Sequence, residues 1–468
     1  FLHRTITVED IKQVKILQQF KSNSCSSYLT PNKIYSFYEG GDFMSERLAA
    51  LGGEPVFQEK FPMWPSFSDQ TKREALLPLE SGLVNYWTGH KGVEFEEKWA
   101  QYCDCKYGIS TSNGTSALHT ALAACDIGPG DEVIVTSYSF IASSFCVVQA
   151  GAIPVFADVR KDTHTIDPTS IKEKITSRTK AIIPVHLYGI PCDMDEIMAI
   201  AKERNLFVIE DCAQAHGSEY RGKKVGSIGH AGCFSFCQSK HFTTGGEGGA
   251  VVTNDENIAW AARSFRDHGY DVRERLRLLE LEKKLFYIHQ RVGFNYRLTE
   301  IQSIIGLCEL ERFDGWNKSR RVMIGDKLLK ALQGHEAIQY LPPQGKEGKF
   351  ISYWLFPIVI NLDRISCTIK EFWEAIEAEG VPVAPVLWPQ MYKEKAYIEH
   401  NGFGTVKFPF KSKEYAEVRS VDYRNIICEN AAWIEERTFC FPTHPVYEDW
   451  HVDALVAAFE KVYKYYKK

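Results

Sequence analysis

An α/β fold is what this sequence predicts: a large domain built on a mostly parallel, mixed sheet, followed by a smaller α+β domain at the C-terminus. Three observations carry the expectation. Apolar strand candidates at 132–136, 153–159, 181–187, 206–211, 233–236 and 250–253 alternate with helical segments, the rhythm of a parallel sheet covered on both faces. Beyond about residue 314 the pattern changes to a helix, the apolar run FISYWLFPIVI, a helix at 372–379, the segment VPVAPVLWP and a last helix with Leu455, Phe459 and Val462 on one face. Finally, 468 residues with 44% hydrophobic and 25% charged side chains suffice for more than one core. The boundaries read from the pattern are an N-terminal extension and arm at 1–80, a large domain at 81–315 and a small domain at 316–468.

Taken in order, residues 1–45 give a mixed helical pattern at 6–20, a polar stretch and an aromatic stretch with paired glycines at 35–43. From 46 to 82 the chain reads as a helix, a Gly-Gly turn at 52 and 53, the extended segment FPMWPSF and a second helix ending at Gly82. Such an aromatic arm is expected to pack on something, often another subunit. Phe95, Trp99 and Tyr102 fall at helical spacing, and a turn at Asp104 leads into the strand YGIST. In SNGTSALHTALAAC, Ala117, Leu118, Ala121, Leu122 and Cys125 form one helix face, so the helix begins near Gly114 and Thr115. Small polar residues at a helix start offer free N–H groups and the positive end of the dipole. That is an anion site or a plain cap.

The formal net charge is −5, so no basic footprint argues for nucleic acid or an anionic membrane. No apolar run approaches the roughly 20 residues of a spanning helix. No charged-then-apolar signal segment opens the chain, and a cytoplasmic enzyme of small molecules is expected. The 13 cysteines are scattered without zinc-site spacing. Reduced thiols and no metal follow.

The chemistry concentrates in GCFSFCQSKHFTTGGEGGAVVTN, residues 232–254. An apolar strand runs into a lone lysine, Lys240, with hydroxyls at Ser235 and Ser239 before it. Glycines at 245, 246, 248 and 249 follow, allowing close backbone approach. A loop lysine is usually a solvated one. In a desolvated pocket, however, its pKa falls and it can form a Schiff base with an aldehyde cofactor, which makes pyridoxal phosphate the leading candidate.

In open sheets of this kind ligands sit beyond the carboxyl ends of the strands. Asp211 closes the strand LFVIED, where it either caps a following helix or, against a pyridine cofactor, keeps the ring nitrogen protonated. Phe140, after VIVTS, reads as core or as a ring stacked on the cofactor. His216 and His241 read as structural more readily than as acid–base groups.

SNGTSALH, EDCAQAHG, FSFCQSK with GEGG, and GFNYRLTEIQSIIGLCELERFD together resemble the DegT/DnrJ/StrS family of pyridoxal-phosphate-dependent sugar aminotransferases, from about residue 80 to the C-terminus. The segment LGGEPVFQEKFPMWPSF resembles the arm of members acting on cyclitol ketones and of 3-amino-5-hydroxybenzoate synthases. The resemblance implies the type I, aspartate aminotransferase-like fold and a homodimer with shared active sites. It makes Lys240 the Schiff-base lysine and Asp211 the partner of the ring nitrogen. Gln214 lies near the phenolic oxygen, Phe140 stacks on the ring, and Gly114, Thr115 and Ser235 hold the phosphate with Asn295 of the other subunit. His268, Tyr296 and Arg297 face the substrate. The implied reaction moves an amino group from glutamate or glutamine to a keto-sugar or keto-cyclitol.

One departure bears on the lysine. Members usually place the glutamate of GEGG six residues after the lysine, whereas Glu247 is seven after Lys240. Counting back from Glu247 puts His241 in the lysine's place, as in the family's sugar 3-dehydratases. Counting from FSF keeps Lys240 and assigns the extra residue to a loop glycine. The charged stretch DVRERLRLLELEKK interleaves arginine and glutamate at helical spacing, so its arginines are expected to be paired within the helix and poor phosphate ligands. That tilts the expected substrate toward a keto-cyclitol over a nucleotide-linked keto-sugar.

Overall fold

The computed structural model describes residues 47–281, 288–385, 390–415 and 422–468. The expectations for 6–20 and 35–43, and for Trp388 in LWPQMY, fall outside them.

The seven-stranded sheet consists of β1 (Tyr107–Thr111), β2 (Glu132–Thr136), β3 (Ile153–Ala157), β4 (Thr179–Ile183), β5 (Phe207–Asp211), β6 (Ala231–Ser235) and β7 (Gly249–Thr253). Its order is β1-β7-β6-β5-β4-β2-β3. The pairs β2–β3, β2–β4, β4–β5 and β5–β6 are parallel, and β7 runs antiparallel to both β6 and β1. The reason lies in the connection. Parallel neighbours need a crossover of a dozen or more residues, usually a helix, whereas residues 236–248 contain no helix and turn the chain straight back. That turn carries Lys240. Strands β2, β3, β6 and β7 are buried along their whole length, which is why they read as uninterrupted apolar runs.

The first helices follow the sequence closely. Helix α1 (Lys91–Tyr102) buries Phe95 and Trp99, and Asp104 makes the expected turn at φ 57°. Helix α2 (Gly114–Ala124) is buried on nearly every side. Helices α3 (Ala142–Gln149), α4 (Glu256–Arg266), α5 (Val272–Glu280) and α6 (Glu300–Glu311) follow. The Glu300 carboxylate accepts the Lys91 and Gly92 N–H groups at 2.7 and 2.8 Å, satisfying the open start of α1.

A second, four-stranded sheet has the order β8 (Ile338–Tyr340), β9 (Leu355–Ile360), β11 (Thr438–Pro442), β10 (Ala384–Pro385), antiparallel throughout. Its core includes residues of α7 (Ser319–Leu332), α8 (Ile369–Ala378) and α9 (Asp449–Tyr466), with Leu455, Phe459 and Val462 fully buried as expected. Two local readings are corrected. The strands read at 153–159 and 181–187 are shorter or displaced: β3 ends at Ala157 opposite Thr136, the last residue of β2, and β4 ends at Ile183 opposite Val135. The helix read from residue 46 is only a 3₁₀ turn at Ala49–Leu51, stopped by Gly52 at φ 87°, a conformation glycine adopts without Cβ strain. Helices Asp69–Glu74 and Leu77–Ser81 complete the segment before Gly82.

Among the described residues, no helix is long and apolar enough to cross a membrane. Every described cysteine is a free thiol.

Candidate active site

Three structural features converge beyond the carboxyl ends of β5 and β6. The first is Asp211. It is 4% exposed, and its Oδ2 accepts the Ser143 hydroxyl at 2.7 Å while Oδ1 accepts the Ala213 N–H at 3.1 Å. No helix follows it, so the helix-cap reading is replaced by a turn held from the same carboxylate. Burial raises its pKa, opposed by the Ser143 and Ala213 bonds and by the charge of Lys240.

The second feature is Lys240 itself, partly buried in the β6–β7 loop. Burial lowers its pKa, and the charge of Asp211 foremost works in the other direction. Its ammonium lies 4.2 Å from the centroid of the Trp354 ring. His241 goes the other way: it is fully buried, with Nε2 2.9 Å from the Ser352 hydroxyl and its ring against His216. Burial keeps both histidines neutral, His216 at about 3 and His241 well below the usual range. In the same loop Gly245 and Gly246 adopt φ 93° and 123°, a backbone that glycine takes without Cβ strain. The count from FSF thus points to a half-buried lysine near Asp211, and the count from Glu247 to a core histidine.

The third feature is the start of α2. Asn113 caps it, taking the Ser116 N–H at 2.8 Å, which leaves the Gly114 and Thr115 amides outside the helix's own ladder. Ser235 stands against Gly114 so closely that a Cβ there would meet its Cβ at 2.7 Å. Paired amides at a positive helix end beside a hydroxyl form a cradle suited to a phosphate. Beside this group Gln214, 3% exposed, accepts the Tyr188 N–H at 2.9 Å. Phe140 is 53% exposed, which overturns its reading as core and leaves its ring open at the end of β2.

The remaining expected residues form a separate cluster. His268 and Asn295 are exposed, and Asn295 bridges Asp267. Arg297 is ion-paired with the fully buried Asp267, which also accepts the Trp87 indole N–H at 2.6 Å. The Tyr296 hydroxyl lies 3.3 Å from Nδ1 of His119. On α5 the pairing expectation holds for Arg277 with Glu274, and Arg273 pairs with Glu256 of α4. Arg275 departs from it: its guanidinium sits 4.1 Å from the Trp87 ring and 4.7 Å from that of Tyr270.

Sequence reasoning missed Ser143 and the role of Trp64. No local signal marks Ser143, whose partner is 68 positions away; the WPSF segment at least announced that Trp64 packs on something. A buried trio, His186, Glu210 and Cys212, has metal-ligand chemistry. Its polar atoms are already committed: Glu210 accepts the N–H groups of Gly226, Ile228 and Gly229 together with Nε2 of His186, whose Nδ1 accepts the Cys192 N–H. This is a structural knot behind β5.

A mostly parallel seven-stranded sheet with a single reversed strand is the type I pyridoxal-phosphate-dependent transferase fold, and the family and structural matches make the chain an aminotransferase of that fold. The chain belongs to the DegT/DnrJ/EryC1/StrS aminotransferase family, whose sequence model matches residues 69–460. It is 37% identical over 380 residues to a GDP-perosamine synthase of Caulobacter vibrioides, covering 79% of this chain and 89% of that one. It is 34% identical over 368 residues to a putative L-glutamine:3-amino-2,3-dideoxy-scyllo-inosose aminotransferase of Micromonospora echinospora, covering 76% and 83%. The X-ray structure of an aminotransferase from Psychrobacter cryohalolentis superimposes with a TM-score of 0.76 at 36% identity, over 87% of this chain and 99% of that one.

Proposed function

We propose that this aminotransferase uses pyridoxal phosphate to move an amino group from glutamate or glutamine to a ketone on a sugar or cyclitol ring. The observation that carries the reading is the convergence of Lys240, buried Asp211 and the Gly114–Ser235 cradle at one end of the sheet. When bound, the cofactor supplies an aldehyde for the amino group and an electron-accepting ring.

Each residue has a role in this reading. Lys240 carries the cofactor between turnovers, and its Nζ, with a pKa lowered by burial, takes a proton as general base and returns it as general acid. Asp211 faces the ring nitrogen and holds a proton there; the Ser143 and Ala213 bonds favour its ionised form. Gly114, Thr115 and Ser235 hold the phosphate, Gln214 faces the phenolic oxygen and Phe140 covers the ring. Asn295 completes the phosphate site from the second copy of a homodimer. Supporting that arrangement, the neighbouring Val292 and Phe294 are 84% and 42% exposed, apolar surface that a second copy would cover. His268, Tyr296 and Arg297 face the substrate, with Arg297 oriented by Asp267.

On the substrate, the named relatives include one making a nucleotide-linked amino sugar and one acting on an inosose, and both classes are candidates. The test converts the purified protein to its amino form with glutamate or glutamine. Return of the absorbance band near the visible edge is then scored against ketocyclitols and nucleotide-linked ketosugars. Return with neither panel overturns the proposal; return with one selects the class.

A further inference from the structure

The lysine loop is held by two indoles from distant parts of the chain. Trp64 donates its Nε1–H to the carbonyl of Lys240 at 3.0 Å, and Trp354 donates its Nε1–H to the preceding carbonyl, Ser239, at 2.6 Å. The two bonds therefore fix consecutive peptide units at the reacting side chain. Trp354 also presents its ring face to the Lys240 ammonium at 4.2 Å, a distance at which the ring's negative face attracts a cation.

Both tryptophans are themselves anchored. The backbone N–H of Trp354 donates to the Tyr188 carbonyl at 3.0 Å, and its carbonyl accepts Thr443 Oγ1 at 3.2 Å and Arg321 Nη1 at 3.4 Å. The Trp64 ring stacks on His444 at 6.0 Å between centroids and lies 5.2 Å from the Arg321 guanidinium carbon. Residue 64 precedes the segment matched by the family's sequence model, residues 69–460. It nevertheless touches the residue on which the chemistry turns.

We infer that Trp64 and Trp354 are positioning residues for Lys240: their indole N–H groups hold its backbone in register, and the Trp354 ring receives its ammonium whenever the amine is not bonded to the cofactor. The inference rests on the reading of Lys240 as the cofactor-bearing lysine. The charged and titratable groups that act on Lys240 are Asp211, Cys237 and Glu247. Burial is the largest influence on Lys240. The rings of His216 and His241 beside it are neutral, Arg321 is the cation acting on those rings, and the Trp354 ring face at 4.2 Å adds to these influences.

The test uses the full-length protein and Trp64→Phe, Trp354→Phe and Trp354→Leu. Borohydride is added to each loaded protein, and the pyridoxyl label is located by peptide mass. In the amino form of the cofactor, where Lys240 is free, the pH midpoint for its acylation is measured, together with kcat, KM and the melting temperature. Each Phe variant removes one indole N–H and keeps an aromatic ring, and a positioned hydrogen bond contributes roughly a factor of 2–10. Trp64→Phe and Trp354→Phe should therefore lower kcat about threefold or more with KM for the ketone unchanged, while the melting temperature, which a lost hydrogen bond also lowers, shows that each variant is folded at the assay temperature. Trp354→Leu should move the acylation midpoint to lower pH, while Trp354→Phe keeps it. Wild-type kcat in both Phe variants, or an unmoved midpoint in a folded Trp354→Leu protein, overturns the inference. Absence of label on Lys240 in the wild-type protein would instead bring down the reading of the site itself. If Trp354→Leu does not fold, the two Phe variants decide.

Discussion

Ser143 of α3 and Asp211 at the end of β5 meet through a 2.7 Å hydrogen bond from hydroxyl to carboxylate. In so buried a place the bond favours the charged carboxylate against the desolvation that raises its pKa. Replacing Ser143 by alanine leaves burial in place and removes the donor, so the Asp211 pKa rises further. The acid limb of the kcat profile should then move to higher pH. An acid limb identical to that of the wild-type protein would refute this link.

Lys240→Ala should leave a folded protein with no borohydride-fixed label and no transaminase turnover. His241→Ala, which removes a ring bonded to Ser352 in the core, should keep the label and lose stability instead. The reverse pattern would restore the count from Glu247 and point to dehydratase chemistry.

Mixing two inactive proteins tests the shared site. Because Asn295 is proposed to serve the neighbouring copy, hybrids of Lys240→Ala with an inactive Asn295→Ala chain contain one intact site, and part of the activity should return. No recovery after verified subunit exchange argues for sites built from one chain.

Stability should fall in acid through the buried histidines. His119 and His164 are pushed from 6.5 to about 4, and His216 and His444 to about 3, all chiefly by burial. Between pH 6.5 and those values the unfolded chain binds more protons than the folded one, so stability is lost as pH falls through that window and not above it. His119→Phe, in a pocket formed with Phe265, Phe294 and Tyr296, should reduce the slope of unfolding free energy against pH by up to about one proton. An unchanged slope in urea titrations between pH 4 and 6.5 would contradict it.

Glu379, fully buried, accepts the N–H groups of Ala49 and Val56 and the Lys461 ammonium at 2.9, 3.1 and 2.7 Å. It fastens the segment leading into the tryptophan arm to α8 and α9. Glu379→Ala leaves these donors without their acceptor and should cost about 2–4 kcal/mol of stability, read by denaturant titration. A loss below about 1 kcal/mol would mean that water replaces the carboxylate.

How much of this was legible depended on the range of the interaction. Strands β2, β3, β6 and β7 and helices α1 and α2 were readable because burial imposes a local pattern: apolar runs for strands covered on both faces, and Phe95 and Trp99 at helical spacing. Lys240, Asp211 and Ser235 stood out as candidates in the sequence, since strand ends, small residues and glycines mark the places where a backbone can approach a ligand. By itself the sequence determined the layered architecture, the family and an inventory of candidate site residues. Tertiary structure alone decided which members of that inventory meet. The Trp64 indole reaches a carbonyl 176 positions along the chain, Phe140 lies exposed instead of joining the core, and Lys240 rests on Trp354 while His241 turns inward. None of these leaves a local pattern, because a hydrogen bond or a ring contact between distant segments depends on how the elements dock and only weakly on the residues flanking either partner.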